Sequence, residues 1–391
     1  MTKGKLFRSY SGSEVRICTK CVFDENIGGI SFDTNGVCNY CKLFDQLLHE
    51  YPGGAEGEKD FKKIVDKIKY SGRNRKYDCV VGISGGADSS YLLFITKKYG
   101  LRPLAVHYDN TWNSTTSTEN IRKVTKKLNV DLYTHVVNNK EIDDIYMSFF
   151  KASVKEIEAP TDIGLAAVLY MAAEKYRLKY IIEGHSFRTE GIGPLDFAYM
   201  DGKYIESIQK QFGSYKIQTF PNMKLFKFIK WIAIKRIRKI RPLWYLDYDK
   251  EEAKKFLNEE FGWEWYGGHH LENRMTAFKH SYWLPNKFQI DSRIIGYSAY
   301  IRAGMMTKEE ALIRLEEPPY LEPELLDYLK KRLGLSEGKV KDLIDAPNKT
   351  FRDYKTYKRT FEKMRLFFYI MSKMDLVPKS FYIKFCSASE I

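Results

Sequence analysis

Seven residues, Ser84-Gly85-Gly86-Ala87-Asp88-Ser89-Ser90, combine what is needed to hold a polyphosphate. Glycines let the backbone approach closely, the hydroxyls of Ser84, Ser89 and Ser90 add donors, and Asp88 can hold a magnesium ion. The apolar run Tyr77–Ile83 precedes them, and a helical pattern at Tyr91, Leu92, Leu93 and Ile95 follows. The segment therefore predicts a buried strand, a glycine-rich turn and a helix N-terminus, whose backbone N–H groups and dipole converge on one spot suited to phosphate or pyrophosphate. It lacks the Gly-Lys-Ser/Thr ending of a kinase-type loop and the Gly-x-Gly-x-x-Gly of a dinucleotide fold.

A second constellation is Cys18-x-x-Cys21, then sixteen intervening residues, then Cys38-x-x-Cys41. Each pair closes a knuckle and supplies two thiolates, which is the spacing of a tetrahedral zinc site. Disulfides and a redox pair are the competing uses of such cysteines. Four thiolates leave no open coordination position, so zinc here organises a lobe and does no chemistry.

Elements must position these groups. The zinc lobe spans about residues 14–45, with Asn35-Gly36 as a turn between knuckles. Helical stretches at Phe44–Glu50 and Asp60–Lys69 flank the break Pro52-Gly53-Gly54. From Tyr77 strands and helices alternate: strands end at Ser84, Asp109, Val137 and Gly184, with helices from near Ser114 and over Asp162–Arg177. This predicts a parallel sheet covered on both faces, with ligands beyond the carboxyl ends of its strands. Three parts are expected: the lobe, an α/β domain over 76–200, and a mainly helical region over 201–391. Within the last, Lys224–Arg241 reads as a basic amphipathic helix, able to lie on nucleic acid or an anionic membrane, or simply to be solvated.

The 391 residues carry a formal charge of +14, favouring acidic partners such as nucleic acid, nucleotides, sugar phosphates or anionic membranes. An apolar content of 44% excludes a disordered chain. No apolar run reaches the length of a membrane span and Met-Thr-Lys-Gly-Lys leads into no signal-peptide core, so a cytoplasmic protein is expected.

The order Ser-Gly-Gly-x-Asp-Ser resembles the PP-loop of the ATP pyrophosphatases (adenine nucleotide α-hydrolase-like enzymes), which cleave ATP between its α and β phosphates. Further segments resemble the N-acetyl sugar amidotransferases of lipopolysaccharide and flagellin-sugar biosynthesis. They include Arg16–Val22, Phe32–Cys41, His107–Ser114, Glu183–Gly191, Ile240–Tyr248, Tyr266–Thr276, Leu284–Asp291, Met306–Ala311 and Glu316–Tyr320.

The resemblance implies that a sugar N-acetyl oxygen attacks the α-phosphate of ATP, releasing pyrophosphate, and that ammonia then displaces AMP to leave an acetamidino group. The cofactors expected are ATP, Mg²⁺ and Zn²⁺. Only Cys79 and Cys386 lie outside the zinc set, and neither has a glutaminase-like context. Ammonia is therefore expected from a separate glutaminase, in a pair like the glutaminase and cyclase subunits of histidine biosynthesis.

By the same resemblance Ser84, Gly85, Gly86, Asp88, Ser89 and Ser90 bind pyrophosphate and magnesium, Tyr108 and Asp109 border adenine and ribose, and Gly184 lets the nucleotide approach. Thr189 and Glu190 reach substrate or a second metal, and His270, Glu272 and Arg274 hold the sugar or its phosphate. Arg293, Tyr297 and Arg302 are weaker candidates for that pocket. Thr111 and Ser186 depart from the family pattern, which tends to Gly and Asn there.

A tRNA-modifying PP-loop enzyme, a thiolase or a lysidine-type ligase, is the rival reading and fits the charge, the lobe and the basic helix. No cysteine pair follows the loop to carry sulfur, and the sugar-enzyme segments beyond residue 180 have no place in it. No nucleic-acid partner is expected. A zinc-dependent assembly module without ATP hydrolysis is opposed by the intact loop.

Overall fold

A computed structural model describes residues 15–195, 197–268 and 271–386. Five parallel strands form its central sheet: β1 (Cys79–Gly82), β2 (Pro103–Asp109), β3 (Leu132–Val136), β4 (Tyr180–Ile182) and β5 (Arg238–Ile240), in the order β3-β2-β1-β4-β5. The register pairs Val80 with Leu104 on one side and with Ile181 on the other. The order of strands reverses between β1 and β4, which is where open parallel sheets leave a crevice for ligands.

The core shows why β1 reads as an unbroken apolar run. Val80 joins Val106 and Tyr108 in a cluster built with α5 (Asn139–Ala152) and α6 (Ala159–Lys175). Cys79, Val81 and Ala105 join a second cluster with α2 (Gly54–Gly72), α3 (Ala87–Lys98) and α4 (Thr115–Lys127). Alternate residues serve opposite faces, and both faces are covered. Ser114 caps α4 by accepting from the Ser117 amide, and Asn138 caps α5 by accepting from Glu141. Helix α5 has no counterpart among the sequence expectations, although its Asn138 cap and buried Ile142, Ile145 and Phe149 follow the usual pattern.

The stretch Lys224–Arg241 is not one helix. Leu225–Ile229 is α-helical, Lys230–Ile234 continues as a wider turn, and Arg238–Ile240 becomes β5, pairing with β4. Glu183, just past β4, draws in the end of the segment: Lys239 Nζ lies 2.5 Å and Arg241 Nε 3.5 Å from its carboxylate. Pairing β5 against β4 outweighs the helical periodicity of the sequence, and the sheet extends beyond the expected boundary at 200.

The cysteine lobe leads into α1 (Asn39–Glu50). Gly36 adopts φ +75 in the turn between knuckles, its amide donating to the Asp33 carbonyl. The lobe shares a core with Ile294, Ala311 and Leu315 of the helical C-terminal region. Among the described residues, no helix is long and apolar enough to cross a membrane.

Candidate active site

The Ser84–Ser89 loop is held by its own side chains. Ser89 Oγ accepts from the Ser84 amide at 3.2 Å and donates to the Gly86 carbonyl at 3.2 Å, while Ser84 Oγ accepts from the Gly86 amide at 3.3 Å. Gly85 sits at φ +82, where an L side chain is strained, and a Cβ there would lie 2.1 Å from the Ser117 carbonyl. Trp263 Nε1 fixes the Gly85 carbonyl at 2.9 Å. Helix α3 starts without a side-chain cap, leaving the donors of its first turn for other acceptors. Gly184 backs onto that turn, its Cβ position 3.3 Å from the Asp88 carbonyl carbon.

Charged groups converge on this loop from distant parts of the chain. Asp88 accepts from Tyr248 Oη and from Lys250 Nζ, both at 2.7 Å. Lys250 is only 6% exposed; burial disfavours its charge, but Asp88 and Glu190 outweigh that and raise its pKa. Glu190 goes the other way: burial and the Asp88 charge, with Glu272 behind them, outweigh the Lys250 and Arg241 cations and push its carboxyl up to about 8. His185 lies 3.8 Å from Glu190 and accepts from Trp244 Nε1 at 3.3 Å. Burial and the Arg241 cation push its pKa down to about 3, so it is neutral. Burial opposes the charge of Glu183, yet Lys239 and Arg241 hold its carboxyl at about 2. The result is a crevice with two ionic groups, Lys250 on Asp88 and Lys239 with Arg241 on Glu183, and a further carboxyl, Glu190, able to exchange a proton near neutrality.

Segment 272–276 docks onto the β2–α4 loop. The Ser114 amide and Ser117 Oγ donate to the Glu272 carbonyl, and Asn273 Nδ2 donates to Asn110 and Asn113. This docking brings Glu272 Oε1 to 3.5 Å and Tyr266 Oη to 3.2 Å from the position a Cβ would take on Gly86. The sequence candidates Ser84, Gly85, Gly86, Asp88, Ser89, Gly184, Glu190 and Glu272 thus gather at one place. Ser90 is buried in the first turn of α3. Asp109, at the end of β2, accepts from the Thr111 amide at 2.7 Å and from Asn113 at 3.2 Å.

Other candidates go elsewhere. Tyr108 points into the core, because its place in β2 faces α6, with its hydroxyl 2.5 Å from the Cβ position of Gly164. Arg274 stacks over Tyr328 at 4.2 Å. Arg293 is clamped by Asp291, Tyr297 packs in the lobe's core, and Arg302 reaches the cysteines. His270 lies outside the described residues. Tyr248, Lys250 and Tyr266 are further residues of the site to which the sequence reading assigns no role; Tyr248 and Tyr266 lie in segments that resemble the sugar enzymes, and Lys250 lies two places beyond one of them.

Thr111 adopts φ +64, the left-handed region that favours the glycine expected there. Arg332 compensates: it donates to the Thr111 carbonyl and, at 2.6 Å, to its Oγ1, pairs with Asp143 at 2.9 Å and lies 4.1 Å over Trp112.

The buried oxygens Ser90 Oγ, Thr189 Oγ1 and Glu272 Oε2 have no hydrogen-bond partner among the described residues. Buried polar groups are normally paired, so the crevice segments fit a site completed by a polar ligand. The four cysteines also form a site: their sulfurs lie within 4.8 Å of one another, all buried, a donor set able to hold a metal. Arg302 donates to Cys21 at 3.2 Å and Cys41 at 3.3 Å, and Lys308 to the Cys18 carbonyl at 2.8 Å.

Residues 272–367 match the family model "LPS biosynthesis protein WbpG-like, C-terminal domain". The uncharacterized protein MJ1599 of Methanocaldococcus jannaschii is 25% identical over 324 residues, spanning 81% of this chain and 98% of that protein. Among solved structures, an NH3-dependent NAD synthetase from Campylobacter jejuni is 16% identical, covering 75% of this chain and 99% of its own, with a TM-score of 0.29. The U34-tRNA thiolase NcsA from Methanococcus maripaludis is 13% identical, covering 82% and 99%, with a TM-score of 0.30. These scores are too low to bear on function. The chain combines a PP-loop-like parallel α/β core, a lobe of four cysteines able to hold a metal, and a segment over 272–367 similar to a WbpG-like C-terminal domain.

Proposed function

We propose that the chain is an ATP-dependent amidotransferase that converts a sugar N-acetyl group into an acetamidino group, in the making of a surface polysaccharide or flagellin glycan. The observation that carries this reading is the convergence of the Ser84–Ser89 loop, the Asp88–Lys250 pair and the raised Glu190 carboxyl at the reversal between β1 and β4. The WbpG-like segment begins at Glu272, inside that crevice, and its family description supplies the lipopolysaccharide context.

In this reading the loop amides, Ser84 and Ser89 bind the β and γ phosphates of ATP. Asp88 and Glu272 would hold Mg²⁺, which would offset charge on the leaving pyrophosphate. Lys250, released from Asp88, neutralises the same oxygens. The N-acetyl oxygen attacks the α-phosphorus and the bond to the β-phosphate oxygen breaks. Ammonia from a partner glutaminase then attacks the imidate carbon, the carbon–oxygen bond to AMP breaks, and Glu190 takes the proton that nitrogen sheds. A carboxyl titrating near 8 is ionised in a minor fraction at neutral pH, and that fraction accepts the proton, so the step should quicken as pH rises toward 8. The cysteine lobe holds zinc and takes no part in the chemistry.

The test is product analysis with ATP, Mg²⁺, ammonium chloride and nucleotide-linked diacetamido sugars, following AMP and sugar mass together. Sugar-dependent AMP with a mass loss of about one unit, as oxygen is exchanged for NH, is the expected result. AMP released only on addition of tRNA refutes it.

A further inference from the structure

The helix Arg365–Lys373, far from the crevice in sequence, divides sharply between its two faces. Phe368 is fully buried, with its ring against Phe228, Phe361 and Phe381. Leu366, Tyr369 and Ile370 point the other way and Met374 follows just beyond the helix end; Leu366 is 72% and Ile370 45% exposed. Their spacing of three, four and eight residues from Leu366 places them on one face.

Cations outnumber acids around this face. Residues 358–384 contain Lys358, Arg359, Lys363, Arg365, Lys373, Lys379 and Lys384 against Glu362 and Asp375, which flank the face at its two ends. Arg365 Nε donates to Tyr382 Oη at 3.0 Å, and Lys363, Arg365, Leu366, Tyr369 and Tyr382 line a shallow open groove of about 490 Å³. The helix Leu225–Ile229 repeats the division: Phe228 packs inward on Phe368, while Phe226 is 65% exposed beside Lys227. Single exposed apolar residues are ordinary, but three on one face of a short helix, continued by Met374 beyond its end and set among cations, are the arrangement of a helix lying in a lipid interface.

We propose that this face seats on an anionic phospholipid bilayer. Leu366, Tyr369, Ile370 and Met374 enter the boundary between headgroups and acyl chains, and Lys363, Arg365 and Lys373 meet lipid phosphates. Charge complementarity selects this occupant: seven cations against two acids over residues 358–384 suit a negative surface, and the chain's net charge of +14 adds long-range attraction. The inference does not depend on the chemistry of the crevice.

Sedimentation of the full chain with vesicles of mixed phosphatidylglycerol and phosphatidylcholine, compared with pure phosphatidylcholine, tests it. Binding to the anionic vesicles that weakens with added salt is expected. The double variant Leu366→Glu/Ile370→Glu should lower partitioning at least about tenfold, and Arg365→Gln or Lys373→Gln about fivefold each. The substituted side chains are exposed, so an unchanged melting transition verifies folding. No binding to anionic vesicles, equal binding to neutral ones, or binding indifferent to all four substitutions overturns the proposal.

Discussion

Lys250 is the most exposing test of the crevice. Its ammonium is 6% exposed and its partner Asp88 is 17% exposed, with 2.7 Å between them. Lys250→Met leaves that carboxylate largely buried without its cation, a change that costs about 3–5 kcal/mol when the pair is well buried. Tyr248 still donates to Asp88 at 2.7 Å, so the lower end, about 3 kcal/mol, is expected from urea unfolding without nucleotide. Magnesium with ATP supplies a replacement cation, so the deficit should shrink when both are present. Loss of a positive charge at the leaving phosphates should lower AMP formation by about 10²–10³ in kcat. In the double variant with Asp88→Asn the two effects should fall short of additivity by at least about 1 kcal/mol, because both remove one interaction. A Lys250→Met protein as stable as its parent, with additive behaviour in the cycle, refutes the pairing on which the proposed chemistry rests.

Glu190 gives a prediction in pH. The folded carboxyl keeps its proton up to about 8, whereas an unfolded glutamate loses it near 4.3, so this group destabilises the fold progressively as pH rises between those values. Glu190→Gln should remove that slope and gain at least about 1 kcal/mol over the parent at pH 8.5 relative to pH 4.5 in urea titrations; parallel curves refute it. Arg302→Gln should weaken zinc affinity by about 10–100-fold in a chelator competition while one equivalent of metal still binds at saturation, because thiolates keep their ligands but lose an N–H donor. Thr111→Gly relieves about 1 kcal/mol of left-handed strain but gives up the Arg332–Oγ1 bond, so its stability should stay within about 1 kcal/mol of the parent. Arg332→Ala leaves Asp143 and the strained Thr111 unsupported, and should cost about 2–3 kcal/mol by the same denaturation.

What the sequence made legible was local. The loop 84–90 and the two cysteine knuckles carry their chemistry within a few residues, and the strands β1, β2 and β4 announce themselves by apolar runs, while the edge strand β3, Leu-Tyr-Thr-His-Val, is part exposed. The misreadings arose where tertiary pairing overrode local pattern. Helical periodicity in Lys224–Arg241 was real as far as Ile234, but the edge of β4 and the Glu183 carboxylate drew its end into β5. Tyr108 has the alternation of its strand against it: the side chain one place before Asp109 must enter the core if β2 is covered on both faces.

The partners of the catalytic candidates were illegible for a different reason. Lys250 lies 162 positions from Asp88, and Arg302 lies 261 from Cys41, so only the fold makes them neighbours. The cysteine lobe reaches the crevice by the same long-range logic. Tyr40 Oη accepts from the Leu195 amide at 3.3 Å, Phe44 packs on Phe187 at 5.3 Å, and a Cβ on Gly191 would meet the Ile295 carbonyl at 2.7 Å. The segment bearing Glu190 is thereby held between α1 and the helix that carries Arg302 onto the thiolates. A metal bound by the four cysteines would fix both sides of that clamp. Loss of metal should therefore loosen the Glu190 segment before it disturbs the Ser84–Ser89 loop, which α3 and Trp263 hold independently. Amide exchange of the chelated chain would show this as faster exchange over residues 186–195 with the loop unchanged, and equal loss of protection in both would refute the clamp.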